Sequence, residues 1–268
     1  MSSVLIFRVR YMTIAMGLMV TFLGNASASP KTLTVQDPRP VAKAIQELEK
    51  RYGWQITYED PPYRHLSDMP DVTPSVQEGS SVAPGTNGVL VPKAAILSFP
   101  LPATNQEELS TVNALVRIYN ESHRGFVFAV VQGASLLHIV PRQARGLSGN
   151  LEAVKPVLDA VITIAPKERT SYALLEEICK KISIATNTRV EMGTISANLL
   201  YRTKTSIGGS GKSARSILEQ WILEMGGGLS WWLLCDPDAK WGCALNVSQE
   251  SPVKSPILLP RPLPAGKR

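Results

Sequence analysis

The chain has 268 residues, 44% of them hydrophobic and 19% charged, with three cysteines and a formal net charge of +6. That length exceeds one small domain and is enough to bury one large core or two smaller ones. The mild basic balance forms no cluster, so the pattern gives nucleic-acid binding no support, while an acidic partner or an anionic surface stays open.

Arg8 and Arg10 precede an apolar run from Tyr11 to Gly24, and Ala26-Ser27-Ala28 supplies small residues where a signal peptidase reads. This predicts a secretory signal peptide over 1–28, cleaved after Ala28. The run is shorter than the ~20 residues that span a bilayer, so no stable membrane span is expected after cleavage. No Cys follows the cleavage site, which argues against a lipid anchor. Loss of two arginines and no acid lowers the charge from +6 to +4. The expected location is periplasmic or secreted.

Residues 33–36 then read as a short strand. Val41, Ala44, Ile45, Leu48 and Tyr52 fall on one face of a helix, Gly53 ends it, and WQITY (54–58) alternates as a strand. Beyond an irregular segment, AAILSF (94–99) reads as a strand. Thr104 and Glu107 form a capping box for a helix with a stripe of Leu109, Val112, Leu115, Val116 and Tyr119. FVFAVV (126–131) and SLLHIV (135–140) make a hairpin. The same order returns with AVITIA (160–165), a helix carrying Leu175, Ile178, Cys179 and Ile182, and RVEM (189–192). LLYRTKTSI (199–207) reads as a further strand, and a helix carries Ala214, Ile217, Leu218, Trp221, Ile222 and Met225. Gly226 to Gly228 stop that helix before the hairpin LSWWLLC (229–235) and WGCALNV (241–247). Two related α+β units are predicted, over 31–145 and 155–250, each a small mixed sheet with two helices packed on one face. Residues 251–268 hold five prolines and read as a disordered tail.

IGGSGKSA (207–214) lies one residue from a phosphate-binding loop, but Ser206 stands where the first Gly is required. Too little chain follows for a parallel nucleotide-binding sheet. The stretch reads as a strand-to-helix turn in which Ser210 or Ser213 caps the helix, and no cofactor is called for.

The segments VAKAIQELEKRYGWQITYED and GKSARSILEQWILEMGGGLSWWLL resemble the short N-terminal domain of secretins and TonB-dependent receptors, once in each half. The resemblance rests on helix spacing, small-residue turns and the closing hairpin, and covers most of 32–142 and 158–249. It implies a periplasmic interaction module. No outer-membrane barrel or pore-forming secretin domain is expected to follow, and the excursion at 59–93 is longer than that family's usual connection.

That excursion holds six prolines and three glycines, which rules out long helices and central strands. Its composition reads as a solvated loop. The alternative is a partner-contact loop acting through Tyr63, Arg64, His65, Asp68 and Asp71; a metal site built on His65, Asp68 and Asp71 lacks a second nearby His or Cys. His138 sits in an apolar strand as a structural residue, and His123 follows a helix end. No Gly-x-Ser-x-Gly, His-Glu-x-x-His or Cys-x-x-Cys pattern occurs. In an exported chain Cys235 and Cys243 are candidates for a disulfide. They lie opposite if the turn centres on Ala239, and diagonal if Cys235 faces Trp241. Cys179 is expected to be a buried free thiol.

The function expected is an exported, non-enzymatic protein-interaction or envelope-assembly module with a protein partner. The alternative is a periplasmic enzyme whose site is assembled only in the fold, with His65 or His123 as base.

Overall fold

The computed structural model describes residues 31–73, 88–237 and 242–249. The expected signal peptide, the proline-rich tail, the middle of the 59–93 excursion and the tip of the last hairpin lie outside the described residues. In chain order the elements are β1 (Thr32–Asp37), α1 (Pro40–Tyr52), β2 (Ile56–Glu59), β3 (Ala95–Pro100), α2 (Glu108–Ser122), β4 (Phe126–Gln132), β5 (Leu137–Arg145) and β6 (Leu151–Ala153). There follow β7 (Val161–Ile164), β8 (Arg169–Thr170), α3 (Ser171–Thr186), β9 (Val190–Met192), α4 (Ala197–Arg202), β10 (Lys204–Thr205), β11 (Gly209–Ser213), α5 (Ala214–Glu224), β12 (Leu229–Cys235) and β13 (Cys243–Gln249). The class is α+β.

The two halves repeat one strand order. In the first, β1 pairs antiparallel with β3, while β2 runs parallel to β5 and β5 antiparallel to β4. In the second, β7 pairs antiparallel with β11, while β9 runs parallel to β13 and β13 antiparallel to β12. The single small sheet expected for each unit is therefore divided into a two-stranded and a three-stranded piece, with a further pair, β8–β10, in the second unit, and helices α1, α2 and α3 touch both pieces rather than one face of one sheet.

Local devices repeat as well. Helix α1 ends on Gly53 and α3 on Asn187, both left-handed, at φ 69° and φ 53°; Gly and Asn are the residues that tolerate this conformation. The next strand starts three residues later in each case. Four residues before each cap, a helix side chain receives that strand's first N–H: Ile56 N donates to Glu49 Oε1 at 3.4 Å, and Val190 N to Ser183 Oγ at 2.8 Å.

The halves join through their sheets. Strand β2, at the edge of the first three-stranded piece, pairs in parallel with β12, at the edge of the second, with Tyr58 opposite Trp232 and Glu59 opposite Leu233. One sheet in the order β4-β5-β2-β12-β13-β9 results, and β6 adds to it through the far end of β5. Alternation along the strands places the cores on its two sides. Ile56 and Tyr58 face the first core, which Trp232 and Leu234 also join; Trp231, Leu233 and Cys235 face the second. Strand β2 is consequently buried at all four positions, as expected for a parallel strand covered on both faces.

Several expectations are corrected at this level. Residues 199–207 form the end of a short helix, α4, and the two-residue β10 rather than one long strand; Leu200 is buried, Tyr201 and Arg202 are both exposed and the next buried residue is Thr205, which is no period-2 pattern. Thr104 Oγ1 donates to Glu107 Oε1 at 3.0 Å, so the two side chains bond each other instead of capping α2. Leu109 is 42% exposed and leaves the stripe of α2. The glycine-rich stretch 209–213 is itself strand β11, and Ser213 caps α5 by accepting from Ser216 N.

Candidate functional site

The joint is built on consecutive acids at the end of β2. Because neighbours on a strand point to opposite faces, Glu59 enters the second unit and Asp60 the first. Glu59 accepts from Arg215 Nη2 at 2.7 Å through one oxygen and from Leu158 N at 3.2 Å through the other. Arg215 Nε also donates to Asp159 Oδ1 at 3.1 Å. Asp60 accepts from Arg39 Nε at 2.6 Å and Cys235 N at 2.9 Å on one oxygen, and from the Tyr58 hydroxyl at 2.9 Å on the other. Arg39 reaches on to the carbonyl of Cys235 at 2.8 Å. Burial pushes both carboxyl groups above the usual carboxylate range, against the pull of Arg215 on Glu59 and of Arg39 on Asp60.

On the same face as Glu59, His138 Nδ1 bonds the Thr57 hydroxyl at 2.7 Å and its ring stacks on Trp231. Burial, with the charge of Arg215 adding to it, pushes this imidazole down to about 3. His138 is therefore neutral at pH 7, and its 3.8 Å approach to Glu219 is neither an ion pair nor a hydrogen bond. Its structural role agrees with the sequence expectation.

Two cavities flank this joint, and Tyr63 lines both. The larger, about 790 Å³, lies where the loops of both units meet and is lined by Arg64, Lys155, Arg189, Asp236 and the Cys235–Cys243 disulfide. That bridge forms between directly opposed residues of β12 and β13. Gly242, at φ 73°, packs against the Arg189 carbonyl so closely that a Cβ would lie 2.2 Å from it. The smaller cavity, about 280 Å³, lies within the first unit, between the 61–68 loop and the C-terminal end of α2.

The residues expected in a partner-contact loop separate. Tyr63 packs edge-on against Phe126 and forms the wall between the cavities. Arg64 faces the larger cavity, 3.6 Å from Glu152. His65 is held by Ser67, whose Oγ lies 2.7 Å from Nδ1. Asp68 is buried, lines the smaller cavity and lies 3.3 Å from Arg145. Asp71 is exposed, is bonded to Thr73, and pairs with Leu90 in an isolated bridge. The solvated-loop reading is thus corrected for the described ends of the excursion. Lys93 N donates to the carbonyl of Asp68 and Val91 N to that of Pro70, so the two ends close on each other over a buried Met69. Among the described residues no three His, Cys, Asp or Glu side chains gather as metal ligands.

His123 ends α2 stacked on Tyr119, with Nδ1 against Ser122 Oγ and the Tyr119 carbonyl. Cys179 is a buried free thiol, its pKa pushed up to about 12 by burial. Sequence reading missed Arg39, Glu59, Asp60 and Arg215. The available signal was a Glu-Asp pair ending an apolar strand, and a strand, LSWWLLC, that is apolar on both faces.

No family model, no curated protein and no solved structure matches this chain.

Proposed function

We propose that the chain is an exported, non-enzymatic module that binds a protein partner in the cell envelope. The observation that carries this reading is the joint. A sheet edge of one unit receives a strand of the other, and loops of both units then surround a 790 Å³ cleft carrying Arg64, Lys155 and Arg189. Strand addition and loop clefts are common modes of protein recognition, and cationic side chains suit a partner surface bearing carboxylates. The repeated element order supports the resemblance to the short N-terminal domain of secretins and TonB-dependent receptors. Among the described residues no helix is long and apolar enough to cross a membrane.

The test is in-cell photocrosslinking with a probe residue at position 64, 155 or 189, and at 223 as a remote exposed control, combined with fractionation of the envelope. One discrete adduct from the cleft positions, absent at 223 and found in the periplasmic fraction, is expected. Equal labelling at all four positions, or a cytoplasmic chain with Met1 retained, would contradict the proposal.

A further inference from the structure

Beside the smaller cavity one carboxylate oxygen has no hydrogen-bond donor. Asp68 is 8% exposed, and its Oδ1 lies 3.3 Å from Arg145 Nη1 while its Oδ2 is enclosed without any hydrogen-bond partner. A buried carboxylate oxygen without a donor is costly, and buried polar groups left unpaired call for an explanation. The walls beside it are aromatic, since Tyr63, Tyr119, Phe126 and Phe128 all line the cavity. Aromatic rings attract cations; Arg39 already lies over the Tyr63 ring, 6.0 Å from its centroid, and His123 stacks on Tyr119. The last turn of α2, with Tyr119 and Ser122, forms another wall, and the C-terminal end of a helix carries partial negative charge. All three features favour a positive group on the ligand.

The cations nearby do not fill that role. Arg39 is committed to Asp60 and the Cys235 carbonyl, and Arg145 is shared between Asp68 and Ser67. Lys93 and Arg124 also line the cavity but are exposed, and no ion pair engages either of them among the described residues. They mark its outer part as a place for negative charge. At about 280 Å³ the space is near the lower end of small-molecule sites.

We infer that this cavity binds a small zwitterion of the amino-acid type, its ammonium group against the Asp68 carboxyl group among the aromatic rings and its carboxylate toward Lys93 and Arg124. The ligand is either a free amino acid or the end of a short peptide. The site shares only Tyr63 with the cleft of the proposed partner interface and is tested through other residues, so the two can fail separately.

Amide shifts of the full chain are followed by NMR during titration with L-alanine, D-alanine, 4-aminobutyrate and alanylalanine, with ethylamine and propionate as single-charge controls. Saturable shifts at Ser67, Gly125 and Phe126 are expected from at least one zwitterion, and weaker ones from both controls. Asp68→Asn should weaken binding about ten-fold or more, as loss of a charge-assisted hydrogen bond does. The exposed double variant Lys93→Ala/Arg124→Ala should weaken the zwitterion while leaving ethylamine unchanged, and it keeps the test valid if Asp68→Asn fails to fold. A stronger response to alanylalanine than to alanine assigns the ligand to a peptide end, and the reverse to a free amino acid. Absence of saturable shifts from every probe, or full binding by a folded Asp68→Asn chain, overturns the site. Ethylamine binding as well as the best zwitterion, or unchanged binding by the double variant, overturns the assignment of the carboxylate.

Discussion

At the scale of single residues the charges in the joint act as a lock with a known failure mode. Removing one partner of a buried ion pair strands the other in a low-dielectric interior. Arg215→Met, which leaves Glu59 without its 2.7 Å donor, should cost about 3–5 kcal/mol in urea unfolding. Adding Glu59→Gln to that variant should recover most of the loss, because the uncompensated charge is then gone. His138 gives a pH signature of its own. Its folded pKa, about 3, lies below the ordinary histidine value near 6.5, so the unfolded chain takes up the proton first. The stability tied to neutral His138 is complete above about pH 6.5 and is lost as pH falls toward 3. Glu59 and Asp60, raised by burial, act with the opposite sign and lose stability as pH rises through their folded values. Subtracting the urea midpoints of His138→Asn from those of the parent chain cancels the carboxylates. The difference should shrink steadily on acidification below pH 6.5, and a flat difference would show that the imidazole is not held neutral.

Among the elements, the closing hairpin and the outer edges of the sheet make separate demands. The Cys235–Cys243 bridge closes a short loop, sequence separation 8, and on the chain-entropy model its loss should cost about 2–3 kcal/mol. Alkylation of the unfolded, unreduced chain should label Cys179 alone, and three labels by intact mass would exclude the bridge. The free edge of β4 is guarded by a side chain. Asn120 donates to the carbonyl of Phe128 at 2.9 Å and accepts its N–H at 3.0 Å, so one amide stands in for a neighbouring strand. Ser183 does the same for Val190 on β9, at the opposite edge. Unpaired edges invite further strands, and the internal joint is head-to-tail, a geometry that can propagate. Asn120→Ala should therefore cost about 1–2 kcal/mol and make sedimentation concentration-dependent, whereas an unchanged profile would mean the amide guards nothing.

These elements also show what the sequence made legible. Local periodicity was sufficient for α1, α2, α3 and α5, because their apolar stripes at Ile45, Leu115, Ile178 and Trp221 are each satisfied by the core of their own unit. Alternation along β12 and β13 put Cys235 and Cys243 on one side but left the register open between opposite and diagonal; the fold sets them directly opposite. What alternation within one hairpin cannot convey is which face meets a second core. Trp232 and Leu234 pack against the first unit, while Trp231 and Leu233 pack against the second, so the strand is apolar on both faces from Trp231 onward and its pattern alone names no partner. The same limit hid Glu59, whose charge is acceptable only because Arg215 arrives from 156 residues away. The cavity beside Asp68 was out of reach for another reason: composition marked 59–93 as a loop, while bonds linking Asp68 to Lys93, Pro70 to Val91 and Val72 to Val89 bring its described ends together.

In the molecule as a whole, two like units form one sheet, with their cores on opposite faces and two cavities beside the seam. The units then share their unfolding, because opening the seam exposes Glu59, Asp60 and the indole of Trp232 at once. Native-state hydrogen exchange reads this directly. The Asp60 amide donates to the Leu233 carbonyl at 2.8 Å, and the Cys235 amide donates to Asp60 Oδ2; both bonds cross the seam. The account predicts that these two amides exchange only with global unfolding, as slowly as the Ala244 amide, which faces Leu234 inside the β12–β13 hairpin. Exchange of Asp60 and Cys235 far faster than Ala244, with both cores still protected, would contradict it and leave two units that merely touch.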